Sequence, residues 1–448
     1  MGSHCQTSFL GNTSSSSSAS ADADSLALSY GVTSAADEFD RNVLSIINNS
    51  DISDDVLRER ADKHLDILGN VAFSQYNVPK WVVRLTLLEG VGKQDFTMRR
   101  LFDAMYTTAS DFNLTSGARY VSASICVCAA LASAEPTETR LERLAAELLK
   151  LGEIWVAYML WPFAANRIQP EELREPSAFV TPTLEHTRKT LVEGMSTGRT
   201  ASFSDKVRAR DDYTCVITGV IDKNAPPHIR SREGSHLKLD ASHIFKHSVA
   251  VLRPRASGEN RQHGLYVTYD ILKHYCQLDD SFAENMKSQI DDPSNGMLLG
   301  KDLHSAFDDF AFCFVAHENA NTYKIKHWVS ENEISWVPMS SSVTFMDHSQ
   351  DANNAALLRT SPHNHPQPET TIPLPSPQLL QLHAILAGVL NLSGAADMLQ
   401  IFNDLPDFGG PAVCSGYGED FMHQVIEYTG DDISRLREVA ETTQRLSL

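Results

Sequence analysis

Apolar residues recur at the spacing of a helix face through the first third of the chain. Between residues 37 and 166 they return every three or four positions, with charged residues between them, which is the period of an amphipathic helix. Asp54 and Asp55 stand where a helix cap and first-turn acids belong. We therefore expect an all-α bundle over residues 36–169. The pattern predicts its helices over residues 81–88, 96–106, 120–131 and 141–160.

The pattern changes after residue 202, where short runs of β-branched and aromatic residues alternate with helical pieces. The mixture is typical of a small α+β domain, here residues 202–345. The runs predict strands over residues 214–220, 242–245, 297–299, 310–315 and 323–328. The pieces between them predict helices over residues 267–276, 281–290 and 301–307.

Polar and low-complexity segments separate these regions. Residues 1–35 are rich in Ser and Ala, and we expect them to be disordered. Residues 170–201 contain several prolines and predict a connector with one short helix near residues 184–193. Residues 346–377 include a stretch rich in Asn, His and Pro and predict a flexible linker.

Helical spacing returns near the C-terminus, over residues 379–405 and 420–446. Residues 378–448 are therefore predicted to form a second helical region, which could pack against the first. The expected fold class is α+β, with the small domain flanked by mainly α-helical regions.

The composition is that of an ordinary soluble globular protein, with 448 residues, 42% of them hydrophobic and 21% charged. The closest approach to a membrane span, the apolar run over residues 121–134, is too short and contains serines. The cysteines are scattered without a CxxC pair, which argues against a disulfide framework and a four-cysteine zinc site. The N-terminal residues lack a basic stretch followed by an apolar one, so no secretion signal is expected. We expect an intracellular protein, nuclear or cytoplasmic, with no membrane partner.

Charge is distributed unevenly along the chain. The formal net charge of −19 argues against a protein that coats nucleic acid over its whole surface. Between residues 186 and 262, however, Lys and Arg outnumber Asp and Glu. The charge pattern therefore favours an anionic partner such as nucleic acid for the middle of the chain.

The α+β part carries an ordered set of short motifs. It begins with R-D-D-Y-T-C-V-I-T-G over residues 210–219, followed by A-S-H-I over residues 241–244. It ends with N-G-M-L-L over residues 295–299 and H-S-A-F-D over residues 304–308. This set resembles the HNH endonuclease domain common in fungal proteins, a ββα-metal fold. The resemblance implies a nuclease that uses a divalent metal ion, with His243, Asn295 and His304 as its catalytic set.

His243 is the candidate general base. It lies in a short β-type run, where a strand can hold its imidazole rigidly, and a neutral imidazole is suited to activating water at neutral pH. Asn295 precedes the next β-type run. The resemblance implies that this asparagine either braces the loop that carries the base or binds the metal.

His304 and Asp308 are the candidate metal ligands. They are four residues apart in a helical stretch, so they project from the same face and can bind one divalent cation. An imidazole with a carboxylate suits Mg²⁺, Mn²⁺, Ni²⁺ or Zn²⁺ without strong selectivity. Such an ion would stabilise the oxygen that leaves a cleaved phosphodiester.

Basic residues around these motifs are candidates for contacts with the phosphates of DNA. Nothing resembles a helix that reads bases, so no sequence specificity is predicted, and a preference for DNA over RNA stays open. The candidate phosphate contacts are Arg208, Arg210, Lys246, Arg253 and Arg255.

One position departs from the family pattern. Many HNH enzymes place a metal-binding Asp or His directly before the base, whereas this chain has Ser242, and a hydroxyl is a poor ligand for divalent ions. Asp240 is a possible substitute. The alternative function is therefore a catalytically inactive HNH-like module that binds DNA or another protein.

Each motif also has a structural interpretation when it is taken alone. A single histidine in a strand often only packs, and an H-x3-D pair often lies on a solvated helix face. His247 would form a zinc pair with His243 if that stretch were helical, whereas its apolar residues favour a strand. Cys126 and Cys128 lie in an apolar helical stretch and are expected to be buried thiols.

Overall fold

The computed structural model describes nine parts of the chain, residues 38–83, 96–164, 197–246, 259–279, 282, 289–335, 337–351, 354–355 and 371–404. The chain divides into two compact units, residues 1–53 and 54–448. The described part of the first unit contains one helix, α1 (38–47). None of the helices in the described ranges is both long and apolar enough to cross a membrane.

The N-terminal part of the second unit is helical. Its core forms around Trp155, which packs edge-on against Phe102 with a ring-centroid distance of 5.4 Å. Thr97 begins the second long helix by accepting a hydrogen bond from the backbone of Arg100, as an N-cap residue does. The helices are α2 (Asp54–Leu65), α3 (Ser74–Asn77), α4 (80–83), α5 (Met98–Asp111), α6 (Thr115–Ser133), α7 (Thr137–Trp155) and α8 (Trp161–Ala164), with one π-helical turn (Val156–Leu160) before α8. The helices predicted over residues 96–106, 120–131 and 141–160 are therefore present, with shifted ends.

Small sheets and helices follow in the middle of the chain. The helices are α9 (Thr197–Arg210), α10 (Pro227–Arg230), α11 (Glu259–Cys276), α12 (Lys301–Asp308) and α13 (Glu331–Ile334). The strands are β1 (Ile221–Asp222), β2 (His236–Leu237), β3 (Leu239–His243), β4 (Gly296–Gly300), β5 (Phe312–Ala316), β6 (Thr322–His327) and β7 (Ser342–Thr344). β1 pairs with β2 in parallel, β3 with β4 antiparallel, and β5, β6 and β7 form an antiparallel sheet in that order. The chain thus mixes helices with small sheets, as its hydrophobic pattern predicts.

The strand predicted over residues 214–220 is wrong. In the part of the chain that the structure describes, the segment consists of turns with an isolated bridge between Thr214 and Ile221 and one backbone hydrogen bond from Val216 to Leu298 of β4. Asp212 and Tyr213 have φ values of 52° and 55°, and Gly219 has a φ of 69°, which an extended strand does not allow. The β-branched residues of this run therefore pack as a compact loop. Cys215 in this loop is buried, as expected for a thiol packed in the core.

Four predicted helices lie wholly or largely outside the described residues, those over residues 81–88, 184–193, 281–290 and 420–446; of the first, only residues 81–83 are described, and they belong to α4. The predicted helix over residues 379–405 is present as α14 (Pro377–Ser393) and α15 (Ala395–Asp404). Ser376 caps the first of these, and Gly394, with a φ of 79°, ends it in the left-handed conformation that glycine adopts readily.

Helix α14 packs against both the helical part and the small sheets. It contacts α5 on one side and β5 on the other. Its apolar residues are buried around the whole circumference, as expected of a helix enclosed by protein. Helix α14 therefore contacts both parts of the second unit.

Candidate functional site

Two neighbouring strands and the helix that follows them carry the candidate residues. β3 and β4 are antiparallel, and His243 is the cross-strand partner of Gly296. α12 begins directly after β4 and packs against both strands. The order strand, strand, helix places His243 and Asn295 at one end of the strand pair, and the helix carries His304 and Asp308.

His243 is held on two sides. Its Nε2 atom lies 3.1 Å from Oδ1 of Asp291. Its ring stacks on Phe203 of α9, with 4.3 Å between centroids and 7° between planes. A Cβ atom at Gly296 would lie 2.5 Å from the Phe203 ring, so the glycine lets α9 lie over this end of the strands. The side chain of His243 remains 23% exposed, which leaves it within reach of water and substrate.

Asp291 is a site residue that the sequence interpretation missed. It precedes Asn295 by four residues, in the turn that leads into β4. The only signal was an acidic residue next to the strand that pairs with β3. Nothing in the local spacing shows that it reaches His243, because 48 residues separate the two.

Asn295 is fully buried and bonded through both ends of its amide. Its Oδ1 accepts a hydrogen bond from the backbone N–H of Phe245 at 2.7 Å. Its Nδ2 donates to the carbonyl oxygens of Phe245 and Ile290 at 3.1 and 2.9 Å. Because the oxygen faces a donor and the nitrogen faces two acceptors, the amide has one orientation. The side chain thus ties the residues after His243 to the turn that carries Asp291.

His304 and Asp308 lie on the same face of α12. Nε2 of the histidine is 3.6 Å from Oδ2 of the aspartate, and the side chains are 30% and 13% exposed. This separation is close to that between neighbouring ligands of one divalent ion with bonds of about 2.1 Å. The pair therefore fits a divalent cation as two protein ligands. Within the described ranges, no group of three or more His, Cys, Asp or Glu side chains is placed to hold a metal ion.

The residues before His243 add no further ligand to the pair of His304 and Asp308. Side chains alternate between the two faces of a strand, so Asp240 and Ser242 of β3 point away from the face that carries His243. Ser242 is fully buried, and its Oγ atom has no hydrogen-bond partner in the described part of the chain. Asp240 is therefore not placed as a substitute ligand beside His243.

A small cavity lies between α12, α14 and the residues that follow His243. Its volume is about 10 Å³, room for roughly one water molecule. Its polar lining comes from Lys246, Asp308 and His383. Burial lowers the pKa of His383 to about 3, so this imidazole is neutral. Asp308 and the residues that directly follow His243 therefore line the same cavity.

Arg210 corrects the prediction of phosphate contacts. Its side chain is fully buried, and its five N–H donors all have protein acceptors. The guanidinium pairs with both carboxylate oxygens of Asp211 and donates to the carbonyl oxygens of Pro293, Gly296 and Pro373. A group so enclosed contacts no phosphate.

The other four predicted contacts divide into three groups. The Nζ atom of Lys246 is buried and lies 5.6 Å from the Phe310 ring centre. The prediction that Lys246 contacts a phosphate is therefore corrected as well. Arg208 forms an ion pair with the buried Asp222 at 3.1 Å and keeps 23% of its side chain exposed. Arg253 and Arg255 lie outside the described residues.

Exposed cations lie instead in the segment between β1 and β3, at the end of α10 and in the loops around it. Lys223, Arg230 and Lys238 are exposed, and the backbone N–H of Lys223 bonds to the carbonyl of Leu237 at 2.7 Å. The sequence interpretation counted these residues in the basic segment without choosing them. Their exposure is the property that the buried arginine lacks.

Comparison with known protein families gives one match. Residues 215–315 match the family model described as HNH endonuclease. The matched range contains β3, β4, α12 and most of β5, and with them His243, Asn295, His304 and Asp308. It supports an HNH nuclease domain in this part of the chain, in line with the motif resemblance. Comparisons with curated proteins and with solved structures give no match.

Proposed function

We propose that the protein is a metal-dependent HNH endonuclease that hydrolyses phosphodiester bonds of DNA. The observation that carries the proposal is the β3–β4 pair followed by α12, which puts a partly exposed histidine on a strand beside a helix with a His–Asp pair. The family match over residues 215–315 supports the same function. Such a substrate is consistent with a protein of the nucleus or cytoplasm.

His243 is the general base in this proposal. Its Nε2 faces a carboxylate acceptor, so in the neutral imidazole the proton lies on Nε2 and the lone pair on Nδ1. Nδ1 takes a proton from a water molecule, and the resulting hydroxide attacks phosphorus. The bond to the 3′ oxygen breaks as the new bond to phosphorus forms.

His304 and Asp308 are the proposed metal ligands, with water and a substrate phosphate oxygen completing the set. When bound there, a divalent ion would supply positive charge beside the phosphate and would stabilise the leaving oxygen. Imidazole and carboxylate donors suit Mg²⁺, Mn²⁺, Ni²⁺ or Zn²⁺. His304 belongs to the proposed catalytic set because it would bind this metal ion.

Asn295 supports the base without touching the substrate. Its hydrogen bonds to Phe245 and Ile290 hold the segment after His243 against the turn before β4. The DNA backbone is proposed to contact the exposed cations Lys223, Arg230 and Lys238, together with Arg208, Arg253 and Arg255.

Plasmid cleavage tests the proposal. We expect purified wild-type protein to nick or linearise supercoiled plasmid with at least one of Mg²⁺, Mn²⁺, Ni²⁺ and Zn²⁺, and EDTA to stop the reaction. We expect His243→Ala and Asp308→Ala to lower the cleavage rate by about 10²-fold or more, because they remove the base and a metal ligand. Asp302→Asn, an exposed change in the first turn of the same helix, is the matched control. Full cleavage by His243→Ala would remove His243 as the base.

The alternative is a catalytically inactive HNH-like module that binds DNA or a protein. Its support is the buried Ser242 and the two-residue ligand pair in the described part of the chain. Calorimetry with Mn²⁺ separates the two functions. Binding that is lost in Asp308→Ala would count against the inactive module, whereas DNA binding without cleavage in any of the four ions would favour it.

A further inference from the structure

Asp291 and His243 form a close pair whose partners come from separate segments. The Nε2–Oδ1 distance is 3.1 Å, and the two side chains are 23% and 20% exposed. We propose that Asp291 is a positioning residue for His243, which fixes the imidazole in the Nε2–H tautomer and keeps Nδ1 directed at the attacking water. The inference rests on the proposed function, in which His243 is the base.

The carboxylate is held in place by its neighbours in the chain. The carbonyl of Ile290 accepts a hydrogen bond from Asn295 at 2.9 Å. On the other side, Asp292 caps the 3₁₀ turn Pro293–Asn295 by accepting from the backbone of Ser294. Asp291 therefore lies between two anchored residues, so its carboxylate needs little reordering to meet the imidazole.

Phe203 fixes the plane of the ring, and Asp291 fixes which of the two flipped orientations the ring adopts in that plane. The stacked ring at 4.3 Å prevents the imidazole from tilting. Rotation of the imidazole by 180° would exchange the positions of its nitrogen and carbon atoms and lose the hydrogen bond to Asp291. The strand backbone, the aromatic ring and the carboxylate together therefore allow one arrangement of Nδ1.

The pairing of Asp291 with His243 also stabilises the positive charge that His243 gains when it takes the proton from water. When water gives a proton to Nδ1, His243 becomes a cation, and the neighbouring carboxylate stabilises that charge. Asp291 keeps its own negative charge throughout and transfers no proton. The same division of roles, in which a carboxylate orients a histidine base, applies to other histidine bases.

Kinetics of the full-length protein test the role. We expect Asp291→Asn to lower kcat for plasmid cleavage by about 10²-fold and to change KM for DNA by less than about threefold, because Asn can donate to Nε2 and favour the other tautomer. Asp292→Asn is the matched control, since the adjacent amide oxygen can still cap the 3₁₀ turn, and its kcat should stay near the wild-type value. A wild-type kcat in Asp291→Asn would overturn the inference while leaving the proposed function intact.

A spectroscopic measurement decides the same point without relying on cleavage. Nitrogen-15 shifts of histidine-labelled protein distinguish the two tautomers, and the signal of His243 is the one missing in His243→Gln. We expect the Nε2–H tautomer in the wild type and in Asp292→Asn, and a loss of that preference in Asp291→Asn. An Nδ1–H tautomer in the wild type would overturn the inference. If no metal ion supported cleavage, the proposed function would fail, and the tautomer would still show whether Asp291 positions the ring.

Discussion

Arg210 donates hydrogen bonds to four residues from three separate segments of the chain. It pairs with Asp211 next to it in sequence, and it bonds to Pro293 and Gly296 beside β4 and to Pro373 before α14. Asp211 also accepts from the backbone of Leu298 at 2.9 Å. Removal of one partner from such a buried pair leaves the other charge uncompensated. The R-D motif at this position therefore supports the end of β4, where His243 has its cross-strand partner.

Glu153 is a half-buried acidic residue in α7, far from the candidate site in sequence. Its Oε1 accepts a hydrogen bond from the indole N–H of Trp81 at 3.0 Å. Burial raises the pKa of Glu153 to about 7, against the opposing effect of that hydrogen bond. The protonated form is thus favoured in the folded state, so the contribution to stability is complete below the unfolded pKa of 4.5 and is lost as pH rises through 7.

We expect Glu153→Gln to become progressively more stable than the wild type between pH 5.5 and pH 8. The difference in free energy of unfolding between the two proteins should grow by about 2 kcal/mol over this range. Urea denaturation at both pH values measures it. Glu138→Gln, an exposed change in the first turn of the same helix, is the control. A difference that does not change with pH would show that Glu153 has an ordinary pKa in the folded protein.

Helix α14 depends on close contact at one glycine. A Cβ atom at Gly388 would lie 2.9 Å from Oγ1 and 3.0 Å from Cγ2 of Thr108 in α5. These distances are shorter than ordinary van der Waals contact, and Thr108 is itself buried. The absence of a side chain at Gly388 therefore lets α14 and α5 approach each other.

We expect Gly388→Ala to destabilise the protein by about 1–3 kcal/mol, although alanine is the better helix former. In a Thr108→Ala background the clashing atoms are gone, so the same change should cost nothing or stabilise. A double-mutant cycle on urea denaturation measures the coupling. Equal effects of Gly388→Ala in both backgrounds would contradict the close contact.

Helix α14 is one of the elements that join the two parts of the second unit. His383 of α14 lies between Phe307 and Phe310, 3.7 Å from the first ring centroid, and bonds to the carbonyl of Phe307 at 2.9 Å. Asn391 donates to the carbonyl of Phe310 at 3.0 Å. Since Phe307 precedes Asp308, helix α14 packs directly behind the candidate metal ligands. A nuclease-like part that ended at residue 345 would lose these contacts.

We expect a chain that ends at residue 370 to lose protection in β4 and α12. Hydrogen exchange of the backbone amides in these elements should be about tenfold faster or more than in the full chain, because α14 no longer covers Phe307 and Phe310. A chain that ends at residue 404 keeps α14 and is the matched control. Unchanged exchange after truncation at residue 370 would show that the helix is dispensable for the site.

The sequence by itself determined those features that depend on local spacing. The helical period predicted α5, α6 and α7, because the side chains that form a helix face are three or four residues apart. The spacing of His304 and Asp308 placed them on one face of α12 for the same reason. The order of the motifs identified His243 and Asn295, and the family match over residues 215–315 agrees with that order.

Only the tertiary structure decided which distant segments meet. The pairing of Asp291 with His243, the burial of Arg210 and the position of α14 behind α12 each join residues far apart in the sequence. The turns at residues 212–219 also overrode the strand preference of their β-branched residues. The local spacing of apolar residues shows which side chains share one face of a helix or strand. Which other element packs against that face depends on the path of the whole chain. For this reason the sequence could single out His243 as a candidate base, while the fold showed which groups hold its side chain.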